Sequence, residues 1–95
     1  MSLTLLTRAY CHLCDDMRAA LEPLLRQTGA TIAELDVDAD PALEATYGDR
    51  VPVLLLGGIG GDELCHFTLD APRVARALGF APLAWTSFGT APRRS

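Results

Sequence analysis

Apolar residues along this chain switch between two spacings, and the switches mark its elements. Leu3-Thr4-Leu5-Leu6 is short, apolar and β-compatible, which predicts a buried first strand. From His12 to Gln27 the apolar residues Leu13, Met17, Ala20, Leu21, Leu24 and Leu25 recur at helical spacing. Asp15, Arg18, Glu22 and Arg26 alternate in sign on the other face, a solvated stripe worth about 0.2–0.5 kcal/mol per pair. Gly29 is the expected C-cap. Pro23 removes a backbone donor and crowds the preceding turn, so a kink or an earlier helix end is expected there.

Thr31-Ile32-Ala33-Glu34-Leu35-Asp36-Val37 alternates and predicts a second strand. Asp40 and Pro41 supply an N-cap and a first-turn proline, which predicts a short helix from Pro41 to Thr46 closed by Gly48. Val53-Leu54-Leu55-Leu56 is a continuous apolar run, the pattern of a strand buried on both faces. Gly57 to Asp62 then reads as a flexible hairpin and Glu63 to Phe67 as the returning strand. Asp70, followed by Pro72, opens a last helix through Leu78, closed by Gly79. The predicted order is β-α-β-α-β-β-α, an α/β fold. Its first two strands should be parallel with a right-handed crossover and its last two an antiparallel hairpin. That makes a mixed four-stranded sheet flanked by three helices, with helices on both faces. The domain is expected over 1–79, leaving 80–95 as an irregular tail.

Composition narrows the function classes. Ninety-five residues, 49% hydrophobic and 21% charged, suit one small globular domain. A net charge of −4 gives no reason to expect nucleic acid or an anionic membrane surface as a partner. No apolar run approaches the roughly 20 residues of a membrane span. Three cysteines are too few for a secreted disulfide scaffold, and no basic n-region precedes an apolar stretch. A reducing cytoplasm is the expected compartment.

Two of those cysteines sit in Tyr10-Cys11-His12-Leu13-Cys14, where the first strand runs into the first helix. Helix positions three apart share a face, about 5–6 Å apart at Cβ, while a disulfide needs about 3.5–4.5 Å. With Cys11 as N-cap, just outside the helix, the two sulfurs can close that gap or release it. The helix N-terminus offers free N–H groups and a positive dipole end to a Cys11 thiolate, while Asp15 and Asp16 oppose it. Cys11 is the expected nucleophile and Cys14, one turn inside, the resolving thiol. His12 stabilises the thiolate when protonated or is simply an exposed helix residue. Tyr10 shapes a substrate groove or packs on the first strand. Cys65 reads as a small strand core residue rather than a metal ligand, and no metal site is expected.

The element order, the Cys11-His12-Leu13-Cys14 spacing and Val51-Pro52 before the third strand resemble the glutaredoxin-like branch of the thioredoxin superfamily over roughly residues 3–79. Arg8 falls where glutaredoxins commonly carry Lys or Arg, and Arg50 stands in place of their Thr before Val-Pro. The resemblance implies a cis Pro52 facing the active sulfur, with the Val51 main chain offered to an extended substrate. It implies a thiol-disulfide oxidoreductase with no tightly bound cofactor, acting as a monomer on a disulfide-containing protein or on glutathione as co-substrate. Arg8, Tyr10, His12, Val51, Pro52 and Asp70 are the expected substrate-binding residues. The turn Thr68-Leu69-Asp70 lacks the glycine pair with which glutaredoxins hold glutathione, and Gly60-Gly61-Asp62 comes too early to supply it. Two other readings of the same fold are an iron–sulfur or metal carrier and a redox-inert binding domain.

Overall fold

The structure, a computed structural model, describes residues 1–79; the tail expectation for 80–95 lies outside the described residues. The elements are β1 (Ser2–Thr7), α1 (His12–Thr28), β2 (Thr31–Asp36), a 3-10 turn (Val37–Ala39), α2 (Pro41–Tyr47), β3 (Val53–Leu56), β4 (Glu63–His66) and α3 (Ala71–Ala77). The sheet order is β2-β1-β3-β4. β1 pairs parallel with β2 and antiparallel with β3, and β3 pairs antiparallel with β4. This is the predicted mixed four-stranded α/β arrangement.

Strand side chains alternate between two cores, as a period of two requires. Leu3, Leu5 and Leu54 pack with Met17, Leu21 and Leu24 of α1, Leu64 of β4, and Val74 and Ala75 of α3. Leu6, Val53 and Leu55 turn the other way, onto Val37 and Tyr47, with Leu43 of α2 against them. The apolar runs in β1 and β3 therefore mark strands covered on both faces. Thr4 is the buried polar exception, and its Oγ1 donates to the Gly57 carbonyl at 2.6 Å.

Four details depart from expectation. The buried stripe of α1 is Cys14, Met17, Leu21 and Leu24, while Leu13 and Ala20 face solvent. Cys14 thus takes the core position that the apolar spacing gave to Leu13. Of the two outcomes expected at Pro23, the earlier end does not occur: the helix continues through Pro23 to Thr28. Pro23 and Ala19, whose carbonyl loses its partner, are both exposed, so that carbonyl is open to water. β2 ends at Asp36, whose carboxylate caps the 3-10 turn by accepting from the Asp38 N–H at 2.8 Å. β4 ends at His66, because Phe67 turns left-handed with φ 64°. Gly29, at φ 73°, closes α1 with its N–H on the Leu25 carbonyl, as expected.

Candidate active site

Sheet register brings three chain reversals to one end of the molecule. Leu6 of β1 pairs with Val53 of β3, and Val53 pairs with His66 of β4. The chain leaving β1, the chain entering β3 and the chain leaving β4 therefore meet there. These segments carry Arg8 to Cys11, Arg50 to Pro52, and Phe67 to Asp70. Ligands of open α/β sheets bind where strands and helix N-termini meet in this way.

Cys11 is the N-cap of α1, with φ −109° and ψ 108°, and its sulfur accepts the Cys14 N–H at 3.2 Å. An N-cap side chain that satisfies an orphan helix donor is usually an oxygen; here a thiol does it, so a donor is aimed at Cys11 Sγ. Cys11 is partly exposed and Cys14 is 1% exposed, and neither is in a disulfide. Burial, then the hydrogen bond with Cys11, pushes the Cys14 thiol up to about 11. The two sulfurs are thus unlike in access and environment despite their three-residue spacing.

The Val51–Pro52 peptide bond is cis, as the resemblance implied. The Pro52 carbonyl accepts the Phe67 N–H at 3.0 Å, which ties this loop to the turn after β4. Among the described residues the Val51 N–H and C=O have no protein hydrogen-bond partner. Tyr10 is fully exposed at φ 59°, so it does not pack on β1. His12, the first residue of α1, is also exposed.

The charged residues are largely engaged with one another. Arg8 donates to Asp38 at 3.0 and 3.1 Å, to Glu44 at 3.3 Å and to the Gly48 carbonyl at 3.5 Å. Its guanidinium therefore clamps the 3-10 turn and α2 at the end of β1. Asp15 is paired with Arg18 at 2.7 Å, which offsets its charge beside Cys11, and Arg18 also holds Glu34 of β2 at 2.7 and 2.8 Å. Arg50 lies 5.7 Å from the Tyr47 ring centroid and donates to Glu63 at 3.2 and 3.3 Å. Glu63 in turn meets His66 Nδ1 at 2.9 Å. Burial pushes the Glu63 carboxyl up, but hydrogen bonds from Arg50 and His66 outweigh it and hold the group below its usual value.

Asp70 caps α3, accepting the Arg73 N–H at 3.2 Å. With Glu63, Cys65, His66, Thr68 and Arg73 it lines an open cavity of about 410 Å³ beside β4. Cys65 packs against the first core, and burial raises its thiol pKa. It sits on an edge strand, with β3 between it and β1, the strand that leads to α1. Among the described residues no group of three or more His, Cys, Asp or Glu side chains could hold a metal ion.

Sequence reasoning did not single out Glu63, His66 or Phe67 as neighbours of this site. Phe67 carried no signal, since a left-handed phenylalanine goes against its own preference. Arg50 was visible only as the residue next to Val51.

Fold and site together define a thioredoxin-fold protein with a Cys-x-x-Cys pair at its first strand–helix junction. The chain belongs to the family described as Glutaredoxin-like domain (DUF836), which it matches over residues 2–79. An uncharacterized protein of Mycobacterium tuberculosis is 34% identical over 93 residues, covering 93% of this chain and 88% of its own. The solution structure of protein Ne2328 from Nitrosomonas europaea aligns with a TM-score of 0.73 and 33% identity, covering 82% of this chain and 91% of that one. Thioredoxin 1 from Thermosipho africanus shares the fold, with a TM-score of 0.56 and 18% identity over 82% of this chain and 94% of its own. Among the described residues no helix is long and apolar enough to cross a membrane.

Proposed function

We propose that this protein is a glutaredoxin-like thiol-disulfide oxidoreductase, with Cys11 as nucleophile and Cys14 as resolving thiol. The observation that carries the reading is the asymmetry of the pair. Cys11 Sγ is accessible and receives the Cys14 N–H at 3.2 Å, while the Cys14 thiol is buried and held protonated at neutral pH by a pKa near 11. Cys11, the more exposed of the two and the one whose sulfur receives a backbone N–H at the helix tip, is the sulfur a substrate disulfide can reach, so it attacks first.

In the first step the Cys11 thiolate attacks one sulfur of a substrate disulfide. A Cys11–substrate bond forms, the substrate S–S bond breaks, and the other sulfur leaves as a thiolate that takes a proton from water. In the second step Cys14 gives up its proton and attacks Cys11 Sγ. The mixed disulfide breaks, the second substrate thiol leaves, and a Cys11–Cys14 disulfide remains. Two electrons have passed from the cysteine pair to the substrate, and a small thiol or dithiol restores the pair. The dithiol supplies the electrons, so the exchange needs no tightly bound cofactor.

Val51 supports the same reading from the substrate side. Its unpaired N–H and C=O, next to cis Pro52, can bridge the backbone of an extended chain as a short β-strand would. Tyr10, His12 and Asp70, carried by the segments that leave β1 and β4 at the same end of the sheet, are the substrate-binding residues of this reading, with Arg8 holding the 3-10 turn and α2 beside them. The substrate is a disulfide-containing protein or a glutathione disulfide, met by a monomer in the reducing cytoplasm.

Cys14→Ser tests the order of events. Incubated with a disulfide substrate, it should accumulate a mixed disulfide at Cys11, read as a mass increase that dithiothreitol removes. Cys11→Ser should gain no such mass. Absence of exchange in the wild type would overturn the redox reading.

A further inference from the structure

Among the described residues only two non-glycine residues have positive φ, Tyr10 at 59° and Phe67 at 64°. Left-handed backbone is uncommon for residues with a Cβ and is an outlier for a bulky aromatic. Such strain persists only where the surroundings over-determine it, and it gathers at binding and catalytic sites. Both outliers here are aromatic, both are exposed, and both stand at the end of the sheet that carries Cys11.

They lie on the segments that leave β1 and β4, the two strands flanking β3, which the Val51–Pro52 loop enters. Tyr10 immediately precedes Cys11 at the end of β1. Phe67 follows β4 and is tethered by its N–H to the Pro52 carbonyl at 3.0 Å. β1 and β4 are separated by β3 alone, so the strand ends Leu6 and His66 lie about 10 Å apart, two interstrand spacings. The Phe67 ring is held edge-on to His66, with centroids 4.9 Å apart and planes at 81°. The Tyr10 side chain has neither an aromatic partner nor a hydrogen bond among the described residues. Leu13, 43% exposed between the two cysteines, adds a third apolar side chain.

The charges at this end argue against an anionic ligand. Arg8 is already held by Asp38 and Glu44, and Arg50 by Asp49 and Glu63. Asp16, Asp36 and Asp70 add negative charge, against which Arg73 stands beside Asp70. Glutathione, with two carboxylates and one ammonium, meets a site whose nearby arginines are mostly paired. An extended protein segment with apolar side chains beside its disulfide meets exposed aromatic rings and an unpaired Val51 backbone.

We propose that Tyr10 and Phe67 are specificity-determining residues that grip the side chains flanking a disulfide in an extended protein segment, selecting apolar flanks over glutathione. This inference rests on the redox reading above, and the exchange it concerns is the same two-electron reaction.

Three disulfides test it in single-turnover reduction by the pre-reduced full chain. Two are homodimeric peptides of equal length and charge, one with leucines and one with serines flanking its cysteine; the third is glutathione disulfide. The leucine peptide should react about tenfold faster than the serine peptide, with glutathione disulfide slowest, because burying apolar flanks on two rings is worth about one decade. Asparagine tolerates left-handed backbone, so Tyr10→Asn and Phe67→Asn keep the chain path. Each should lower the leucine-to-serine ratio about threefold, and together they should bring it near one. Equal rates for the two peptides in the wild type, or an unchanged ratio in the single variants, would overturn this inference alone. Failure to reduce any of the three would overturn the redox reading and this inference together.

Discussion

The tip of α1 and the edge strand β4 each carry a partly exposed cysteine, and the two regions are built differently. At the tip, Cys11 caps a helix and receives a backbone N–H at 3.2 Å, at the same end of the sheet as Val51, whose backbone has no hydrogen-bond partner among the described residues. On β4, Cys65 packs on the first core from within a paired strand, and burial raises its pKa although a 410 Å³ cavity adjoins it. An adjoining cavity therefore does not by itself make a reactive thiol. What distinguishes the tip is an aimed donor and a second thiol on the next turn.

The sharpest way to break this comparison is to exchange the cysteines for inert residues. Cys11→Ser should lower disulfide exchange by at least about 100-fold, since the thiolate is the reacting species. Stopped-flow reduction of a peptide disulfide checks it, and comparable rates would contradict the assignment of the nucleophile.

Alkylation at neutral pH compares the thiols directly. A pKa near 11 leaves Cys14 ionised to roughly one part in 10⁴ at pH 7, and its burial slows access further. Iodoacetamide followed by peptide mass analysis should label Cys11 well before Cys14. The same shift has a consequence for stability. The fold favours the protonated Cys14, so its contribution is complete below the ordinary thiol value of 9.0 and is lost as pH rises through about 11. Chemical denaturation should show stability falling over that alkaline window, and less so in Cys14→Ser.

A smaller effect is expected where the two regions touch. Glu63→Gln removes the charge that links Arg50, next to Val51, with His66 of β4. Exposed and half-exposed ion pairs contribute little, so the expected loss is at most about 1 kcal/mol. The Glu63 carboxyl lies below its usual 4.5, so its contribution is full above that pH and fades as pH falls through the lowered value. Urea titrations at neutral and acid pH should show the wild type and variant converging in acid. Smallest of all, Cys65→Ala should leave the exchange rate within about twofold, because nothing in the two-step reaction uses that thiol.

Much of this layout was legible in the sequence, and the parts that were not share a cause. Val53–Leu56 is read directly from an apolar run, and Asp40 and Asp70 as N-caps from their place before a proline-bearing first turn. Cys11 as N-cap followed from the switch of period at that point. Cis Pro52 was legible only through the family resemblance, because local preference favours trans. Tertiary context decided the remainder. Leu13 is exposed because the buried stripe of α1 runs through Cys14, and an apolar count cannot tell a thiol from a surface residue. Arg8 pairs with Asp38 and Glu44, residues 30 and 36 positions away, a contact that local spacing does not reveal. Phe67 adopts a left-handed turn that its side chain disfavours, held by the bond to Pro52.

Equilibration of the full chain in glutathione redox buffers, with Cys11→Ser beside it, tests the dithiol most directly. The expected result is a reversible two-electron couple within roughly −300 to −120 mV that the variant lacks. A wild type in which Cys11 and Cys14 never interconvert between dithiol and disulfide would contradict the assignment of this helix tip as a redox site.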